Sequence, residues 1–442
     1  MLSVLSNRTY RLLYFAQVVA LFGTGLMTVA LALLAYDLAG ADAGVVLGTA
    51  LAIKMIVYVT LSPVAAGFAA RFPRRGFLIF LDLVRASVAL ALPFVDAVWQ
   101  IYVLIALLQS ASAAFTPTFQ ATIPDILTDD DDYTNALSLS RLAYDLENLL
   151  SPMAAALLVS AIGFHWLFTW TSAGFLISAA LVFSTVLPAM KAAQSVSPLE
   201  RIKNGVEIYL KTPRLRALMA LNLTVAASGA MVIVNGVVLV KSELGLSDTD
   251  LALSMAAYGG GSMAAAFLVP KLLKRFPERS VMLSGGAMLP ILLLVFAALY
   301  SNLPEQATWP ALLVSWAVTG AGMSAVLVPS GRLLRNSAHA EDRPLVFAAQ
   351  FALSHAGWLI TYPLAGWLGS TASIPQTLTA LALVAAPAAL AAAWLWPKDD
   401  PRYLIHDHPD LPPDHPHLVN AHGTQHGHDF VIDGLHPNWP DR

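Results

Sequence analysis

Charged and turn-forming residues cut most of this chain into twelve apolar stretches. They lie at about 12–34, 44–69, 77–95, 98–120, 135–160, 165–188, 215–240, 250–272, 280–300, 308–331, 344–368 and 374–396. A helix needs roughly 20 apolar residues to cross the hydrocarbon core of a bilayer. The pattern therefore predicts an all-α membrane protein with twelve transmembrane helices. Composition agrees: 57% of the residues are hydrophobic, mean hydropathy is +0.65, and only 12% are charged. That charged share is about half of what soluble domains carry. Glycine and proline within the stretches are compatible with transmembrane helices. The first stretch is too long for a signal-peptide core and lacks a small-residue cleavage site, so it is read as a retained span.

The distribution of charge says more than the net value of −3. With the N-terminus in the cytoplasm, Arg71, Arg74, Arg75, Lys191, Arg201, Lys203, Lys211, Arg214 and Arg216 fall on the inner side. So do Lys271, Lys274, Arg275, Arg279, Arg332, Arg335 and Arg343. Only Lys241 falls in an outer loop, whereas Lys54, Arg85 and Arg141 lie within spans. Short loops rich in Lys and Arg stay on the cytoplasmic side, so both termini are expected there, in an inner (plasma) membrane. Trp99, Trp166, Trp309, Trp394 and Trp396 stand near span ends, where interfacial aromatics belong.

The chain divides into residues 1–188 (six spans), a linker at 189–214, six more spans at 215–396, and a polar tail at 397–442. In the linker, Ser197, Pro198 and Glu200 have the spacing of a capping box with proline in the first turn. Leu199, Ile202, Val206, Tyr209 and Leu210 then make one apolar side, as expected of an amphipathic helix on the membrane surface. A plain cytosolic connector is the competing reading. The two six-span halves also repeat each other. Arg71-Phe-Pro-Arg-Arg75 returns as Arg275-Phe-Pro-Glu-Arg279, Thr116-Pro117 as Val328-Pro329, and Ser151-Pro152 as Tyr362-Pro363. Such internal duplication marks many transporters.

With basic 2–3 and 8–9 loops added, residues 1–396 resemble the major facilitator superfamily. The family's 2–3 loop motif is Gly, three residues, Asp-Arg, two residues and two basic residues. Here AGFAARFPRR keeps Arg71, Arg74 and Arg75 but has Ala66 and Ala70 for the Gly and Asp. The gating salt bridge that the family assigns to that Asp thus lacks its acid, and Asp82 is a candidate substitute. ENLLSPMAAA in the fifth span keeps the proline of the antiporter motif as Pro152 and places Glu147, Ser151, Ala155 and Ala156 around it. With the histidine-rich tail, ALSLSRLAYDLENLLSP is most similar to the nickel- and cobalt-resistance exporters related to the drug:proton antiporter branch. The resemblance implies two pseudo-symmetric six-helix halves, spans 2 and 11 meeting where the halves touch, spans 5 and 8 likewise, and a cavity lined by spans 1, 4, 7 and 10.

A charge deep in a bilayer costs several kcal/mol, so each one asks for a reason. Lys54 lies near the middle of span 2, Asp145 and Glu147 of span 5, and His355 of span 11. Asp82, Arg85 and Arg141 lie nearer the cytoplasmic ends. Asp82–Arg85 and Arg141–Asp145 are spaced to pair on one helix face, which suits structural pairs or a gate. Glu147 and Lys54 have no partner at helical spacing, and Asp145 and Glu147 point about 200° apart, so they cannot face one cavity together. Glu147 or Asp145 is then expected to be a proton or cation site, with Lys54 or His355 as modulator. Self-satisfied structural contacts are the other reading. For His355 a plain hydrogen bond weighs against a proton-coupling role.

Eight of the eleven histidines stand from His406 onward. His406/His408, His415/His417 and His426/His428 repeat one His-x-His spacing, with His422 nearby. In extended backbone, residues two apart point the same way, so each pair can aim two imidazoles at one ion of nickel, cobalt, copper or zinc. The Pro-, Asp- and His-rich composition predicts a largely disordered tail, although Phe430, Val431, Ile432, Leu435 and Trp439 suggest a docking element. The absence of cysteine excludes disulfides and thiolate sites. No HExxH, Gly-Lys-Ser/Thr phosphate loop or GxSxG is present, so an enzyme is not expected, and Gly259–Gly261 reads as helix packing. The expectation is a monomeric proton-coupled exporter of divalent Ni2+ or Co2+, without a resident cofactor and without a nucleic-acid partner. The metal is either its substrate or a ligand of the tail. The rivals are a drug exporter with an incidental tail and a metal sensor that does not transport.

Overall fold

A computed structural model describes residues 2–39, 43–69, 71–188, 197–400, 403–407, 418 and 425–440. The first half comprises α1 (Arg8–Ala39), α2 (Ala43–Ala69), α3 (Arg74–Ala91), α4 (Val98–Ile126), α5 (Asp130–Ile162) and α6 (His165–Phe183). The linker helix is α7 (Pro198–Lys211). The second half comprises α8 (Pro213–Val237), α9 (Asp248–Leu273), α10 (Glu278–Tyr300), α11 (Glu305–Arg335), α12 (Arg343–Thr371) and α13 (Ile374–Leu395). Two short strands, β1 (Tyr403–Asp407) and β2 (Gln425–Asp429), close the element order. Eleven of the helices are long and apolar enough to cross a membrane. The twelfth span is α5, at 33 residues the longest helix, whose Arg141, Asp145 and Glu147 keep it from counting as a simple apolar run.

The duplication read from the sequence reappears in the packing. In the first half α1 packs on α6 and α5, α3 on α6 and α4, and α2 on α4. In the second, α8 packs on α13 and α12, α10 on α13 and α11, and α9 on α11. Each first-half contact becomes its second-half counterpart when seven is added to both helix numbers. The halves meet along α2–α12 and α5–α9, which exchange under the same operation. Spans 2 and 11, and spans 5 and 8, are thus in contact as the family resemblance implies. Small residues allow the closest approaches. A Cβ at Gly261 of α9 would come within 1.8 Å of the Ala317 carbonyl oxygen on α11, and one at Gly320 within 2.0 Å of the Tyr258 oxygen. These helices touch backbone to backbone, which is what small residues permit in membrane packing.

α7 forms as its capping box predicts, with Ser197 accepting from the Glu200 N–H and Glu200 accepting from the Ser197 N–H. Its buried side differs from the expected apolar stripe. Ile208 and Tyr209 are buried, but Leu199 is 78% exposed and Leu210 43%. Gly205 presses against Leu345, and the Tyr209 hydroxyl donates to Gln350 of α12. The helix contacts α2, α12 and α8, so it bridges the two halves.

Parts of the tail are ordered, contrary to the expectation of general disorder. β1 and β2 pair antiparallel, with His406 opposite His426 and Leu404 opposite His428. Phe430, Val431 and Ile432 are buried, and Phe430 and Ile432 join the core that holds Ile208, Tyr209, Leu215, Leu334 and Trp396. Leu404 and Trp439 pack against the same core. The reason is apolar burial: burying a large side chain yields about 1.5–3 kcal/mol, enough to fix a short segment otherwise rich in polar residues.

Candidate functional site

Two constellations lie where the halves meet, one at mid-helix and one at the end that carries the basic loops. At mid-helix, Lys54 of α2, Glu147 of α5 and His355 of α12 come together. Lys54 acts electrostatically on both Glu147 and His355. The Lys54 ammonium stands 5.6 Å from the centre of the Tyr58 ring, and that ring meets His355 edge-on at 4.8 Å. Phe351 packs on both, 4.8 Å from Tyr58 and 4.2 Å from His355. His355 Nδ1 lies 2.7 Å from the Phe351 carbonyl oxygen. A carbonyl can only accept, so Nδ1 carries hydrogen, and the ring takes a fixed orientation against the opposite half.

Around Glu147 the first half supplies a polar lining. Tyr144 is hydrogen-bonded to Gln17, Tyr58 to Ser112, and the Ser140 hydroxyl donates to Gln17 at 3.1 Å. Gly25 of α1 makes room for this part of α5. A Cβ there would lie 2.2 Å from Ser151 Cβ and 3.4 Å from Glu147 Cγ. Glu147 is thereby held on the α1–α2 side of α5. Asp145 takes the other side: it pairs with Arg141 at 2.9 Å, and Arg141 Nε donates to Ser262 of α9 at 2.9 Å. The two acids do face apart, and the Arg141–Asp145 pair belongs to the α5–α9 seam rather than to the group around Lys54. Asp82 and Arg85 also pair. Asp82 accepts from Ser178 at 2.8 Å, and the Arg85 guanidinium lies over Phe115 (4.0 Å) and Phe175 (4.6 Å). They tie α3 to α4 and α6 inside the first half.

Asp82 is engaged with Arg85 and Ser178, and the described ion pair of the 2–3 loop motif goes to another acid. Arg74 is buried and pairs with Asp125 at the end of α4, at 2.8 Å. Asp125 also pairs with Arg343, the first residue of α12, at 3.0 Å, and so joins the halves. Asp130 at the start of α5 pairs with Arg335 and lies 3.8 Å from Arg332 at the end of α11. Arg332 pairs with Glu278 of α10 at 2.9 Å. The arrangement is a repeat with its charges inverted. Arg74, Asp125 and Asp130 occupy the starts and ends of α3, α4 and α5, while Glu278, Arg332/Arg335 and Arg343 occupy those of α10, α11 and α12. Arg74 and Glu278 are the same position of the two RFP motifs. Inversion turns a symmetric contact, which would set like charges together, into an attractive clamp. Lys274–Asp131 at 2.5 Å and the Tyr133 hydroxyl on the Gly331 carbonyl add to it. Arg71 and Arg75 stay outside the clamp, over Phe68 (5.2 Å) and Phe183 (4.4 Å). Every described hydrogen bond or ion pair between the halves lies between this end and mid-helix.

Sequence reasoning missed Asp125, Asp130 and Glu278. The signal was present in the acidic run Asp129–Asp132 after span 4, facing inner loops otherwise rich in Lys and Arg.

Among the described residues no group of three or more His, Cys, Asp or Glu side chains is arranged to hold a metal ion. His408, His415, His417 and His422 lie outside the described residues. For His406 and His426 only the strand register is described. His428 lies against His436, and Asp433 lies between His436 (2.8 Å) and His339 (3.1 Å) of the α11–α12 loop. The hydrogen bond to Asp433 raises His339 above its ordinary pKa, against the opposing effect of burial. Burial alone would raise the Asp433 carboxyl, but its bonds to His339 and His436 outweigh it and hold the group below the usual carboxylate range.

Comparison with known proteins agrees with this architecture. The solved structure of a bacterial homologue of the iron transporter ferroportin, in an outward-facing state, superposes with a TM-score of 0.69. It is 13% identical and covers 88% of this chain and 98% of its own. The proton:xylose symporter XylE superposes at 0.68, with 13% identity over 87% of this chain and 95% of its own. The uncharacterised transporter YfiS of Bacillus subtilis (strain 168) is 23% identical over 240 residues. That match takes in 52% of this chain and 56% of YfiS, about half the length of each. The sequence model described as the Major Facilitator Superfamily matches residues 13–240 and 218–412. With the repeated six-helix halves and the α2–α12 and α5–α9 seams, this places the chain in the major facilitator superfamily of membrane transporters.

Proposed function

We propose that the chain is a plasma-membrane exporter, with both termini cytoplasmic, that expels a divalent metal ion of the nickel or cobalt type in exchange for protons by alternating access. The observation that carries the transport reading is the meeting of Lys54, Glu147 and His355 on three helices at the seam of the halves. Ionisable groups inside a membrane are retained for such pathways. Ionised Glu147 attracts Lys54, and protonation removes that attraction. A divalent cation reaching Glu147 would replace the same countercharge. Proton and cation therefore compete for one carboxylate, which is the requirement for exchange. Because Lys54 acts across the seam on His355, and Tyr58 packs on Phe351 and His355, a change at Glu147 alters contacts between the halves. A ligand shifts a two-state equilibrium only through such differential contacts.

The basic loops put the clamp on the cytoplasmic side. The conformation described is then closed to the cytoplasm, and the clamp must open for cargo to load. The three His-x-His repeats, on the side where an exporter loads, support the metal reading of the cargo, with the tail as collector. A second reading, export of small apolar molecules, has one observation in its favour. Val19, Phe22, Leu26, Leu158, Trp170 and Ile177 line an apolar hollow between α1, α5 and α6.

The test is the accumulation of labelled nickel and cobalt in metal-sensitive cells making the full chain, a chain ended at Pro397, the Glu147→Gln variant, or none. The proposal expects low accumulation with the full chain, a partial effect without the tail, and values matching empty cells for Glu147→Gln. Equal accumulation with and without the full chain would overturn the metal reading and favour the apolar one.

A further inference from the structure

The first two turns of α12 serve three contacts at once. Arg343, its first residue, pairs with Asp125 of α4 in the clamp at 3.0 Å. Leu345 and Ala348 cluster with Ala66 of α2 across the seam, where the Ala348 carbonyl accepts from Ser62 at 3.4 Å. Val346 and Phe347, between them in sequence, belong to the core that Phe430 and Ile432 of the tail enter. That core extends to Ala121 of α4 in the first half. The tail therefore packs on the segment by which the second half meets the first.

The linker helix is placed in the same way. Thr212 ends α7 and begins α8, so a single residue fixes α7 to the second half. Gly205 of α7 presses on Leu345, while Ile208 and Tyr209 lie in the core shared with the tail. α7 also reaches α2. When the cytoplasmic end opens, α7 and the start of α12 part from α2 together.

Polar contacts fasten the tail near both of its ends. Arg214, buried at the start of α8, donates to Ser337 at 2.8 Å and to the Asn336 carbonyl at 2.7 Å. The same guanidinium lies 3.6 Å from Asp400, where the tail leaves α13, and 5.2 Å from the centre of the Trp439 ring, where it returns. Asp433 accepts from the backbone N–H groups of Leu435 and His436 at 2.9 and 2.8 Å, which closes a turn. Its other carboxylate oxygen lies 3.1 Å from His339 Nε2 in the α11–α12 loop.

We infer that residues 430–439 are a strap that holds the clamp shut. Docked, they keep α7 and the start of α12 where Arg343 and Leu345 meet the first half. Undocked, those segments must be ordered each time the clamp closes, and such ordering opposes association. A docked tail thus restrains opening to the cytoplasm, and its release favours loading. This role is separate from metal collection by the histidines. It rests on the cytoplasmic placement of the clamp given above, and not on the identity of the cargo.

The test measures distances between spin labels in the purified full chain. One pair sits on the ends of α4 and α12; the other, Leu435→Cys with Lys203→Cys, joins the exposed side of the tail to that of α7. Phe430→Ala/Ile432→Ala keeps every histidine. It is expected to broaden the tail pair and to raise the share of long α4–α12 separations about fivefold or more, the lower end of ordinary coupling between sites. His339→Ala removes the contact with Asp433, leaves the core intact, and should shift both pairs the same way by less. It decides the matter if the double variant fails to fold. A released tail with an unmoved α4–α12 pair, while Asp125→Asn still lengthens it, would overturn the strap and leave the clamp standing. A tail that stays docked in the double variant would overturn it too. Opening on release in a chain that exports no metal would support the strap and sink only the metal reading.

Discussion

Glu147 is confined by its neighbours: Gly25 of α1 on one side, Lys54 of α2 on another, and Tyr144 one turn back on its own helix. If its carboxylate is where proton and cargo compete, Glu147→Gln keeps the shape and removes the charge. The expected result is a loss of at least tenfold in export with the protein still folded, checked by transport and by thermal unfolding in detergent. Gly25→Ala tests the packing separately. The added Cβ would lie 2.2 Å from Ser151 Cβ, and overpacking of that kind costs about 1–3 kcal/mol. The melting temperature should fall, and Gly25→Ala/Ser151→Gly should regain it. No loss in the single variant would show that α1 and α5 are not packed as described. The sequence made Glu147 and Lys54 legible because a charge amid apolar residues is conspicuous. It could not show the partners of Lys54, since those lie on α5 and α12, and only the packing of helices distant in sequence brings them together.

At the scale of elements, the clamp depends on how deeply each pair is buried. The side chains of Arg74 and Asp125 are 4% and 16% exposed, and Arg343 is 20%. Asp125→Asn leaves two guanidinium groups without their shared acid, on the order of 2 kcal/mol against the closed form once their residual exposure is allowed for. That corresponds to a shift of roughly 30-fold in the balance of closed and open states. Lys274 and Asp131 are 59% and 54% exposed, so Asp131→Asn should move the balance by less than about 1 kcal/mol. The chain contains no cysteine, so spin labels placed on the ends of α4 and α12 would report that distance without background. Asp125→Asn should broaden the distribution towards longer separations, and Asp131→Asn should not. Equal responses would show that the clamp is not a closing device. The basic loops were legible as a topology signal, but the acids opposing them were not. A charge in a loop is ordinary, and which pairs form is settled only when the halves close. The inversion at Arg74 and Glu278 was in the sequence as the one changed letter between the two RFP motifs.

Over the whole molecule, duplication accounts for most of what is seen. Two copies of one six-helix unit give two seams related by the same operation, and charge inversion at one end makes their meeting attractive. Spans, halves and repeat could be read from hydropathy because the bilayer sets helix length and the copies kept their breakpoints. The tail could be read only in part. His-x-His spacing marks candidate ligands, but the burial of Phe430 and Ile432 beside Tyr209 and Leu334 depends on a surface that only the folded second half supplies. In the proposed mechanism, proton and metal compete at Glu147 while the halves rock about α2–α12 and α5–α9. Inside-out membrane vesicles test that competition most directly: an acid-interior gradient is imposed, Ni2+ or Co2+ is added outside, and the internal pH is followed. Exchange at Glu147 predicts metal-dependent proton release by the wild type and none by Glu147→Gln. Equal proton release by the two, or none by the wild type at any metal concentration, would contradict it.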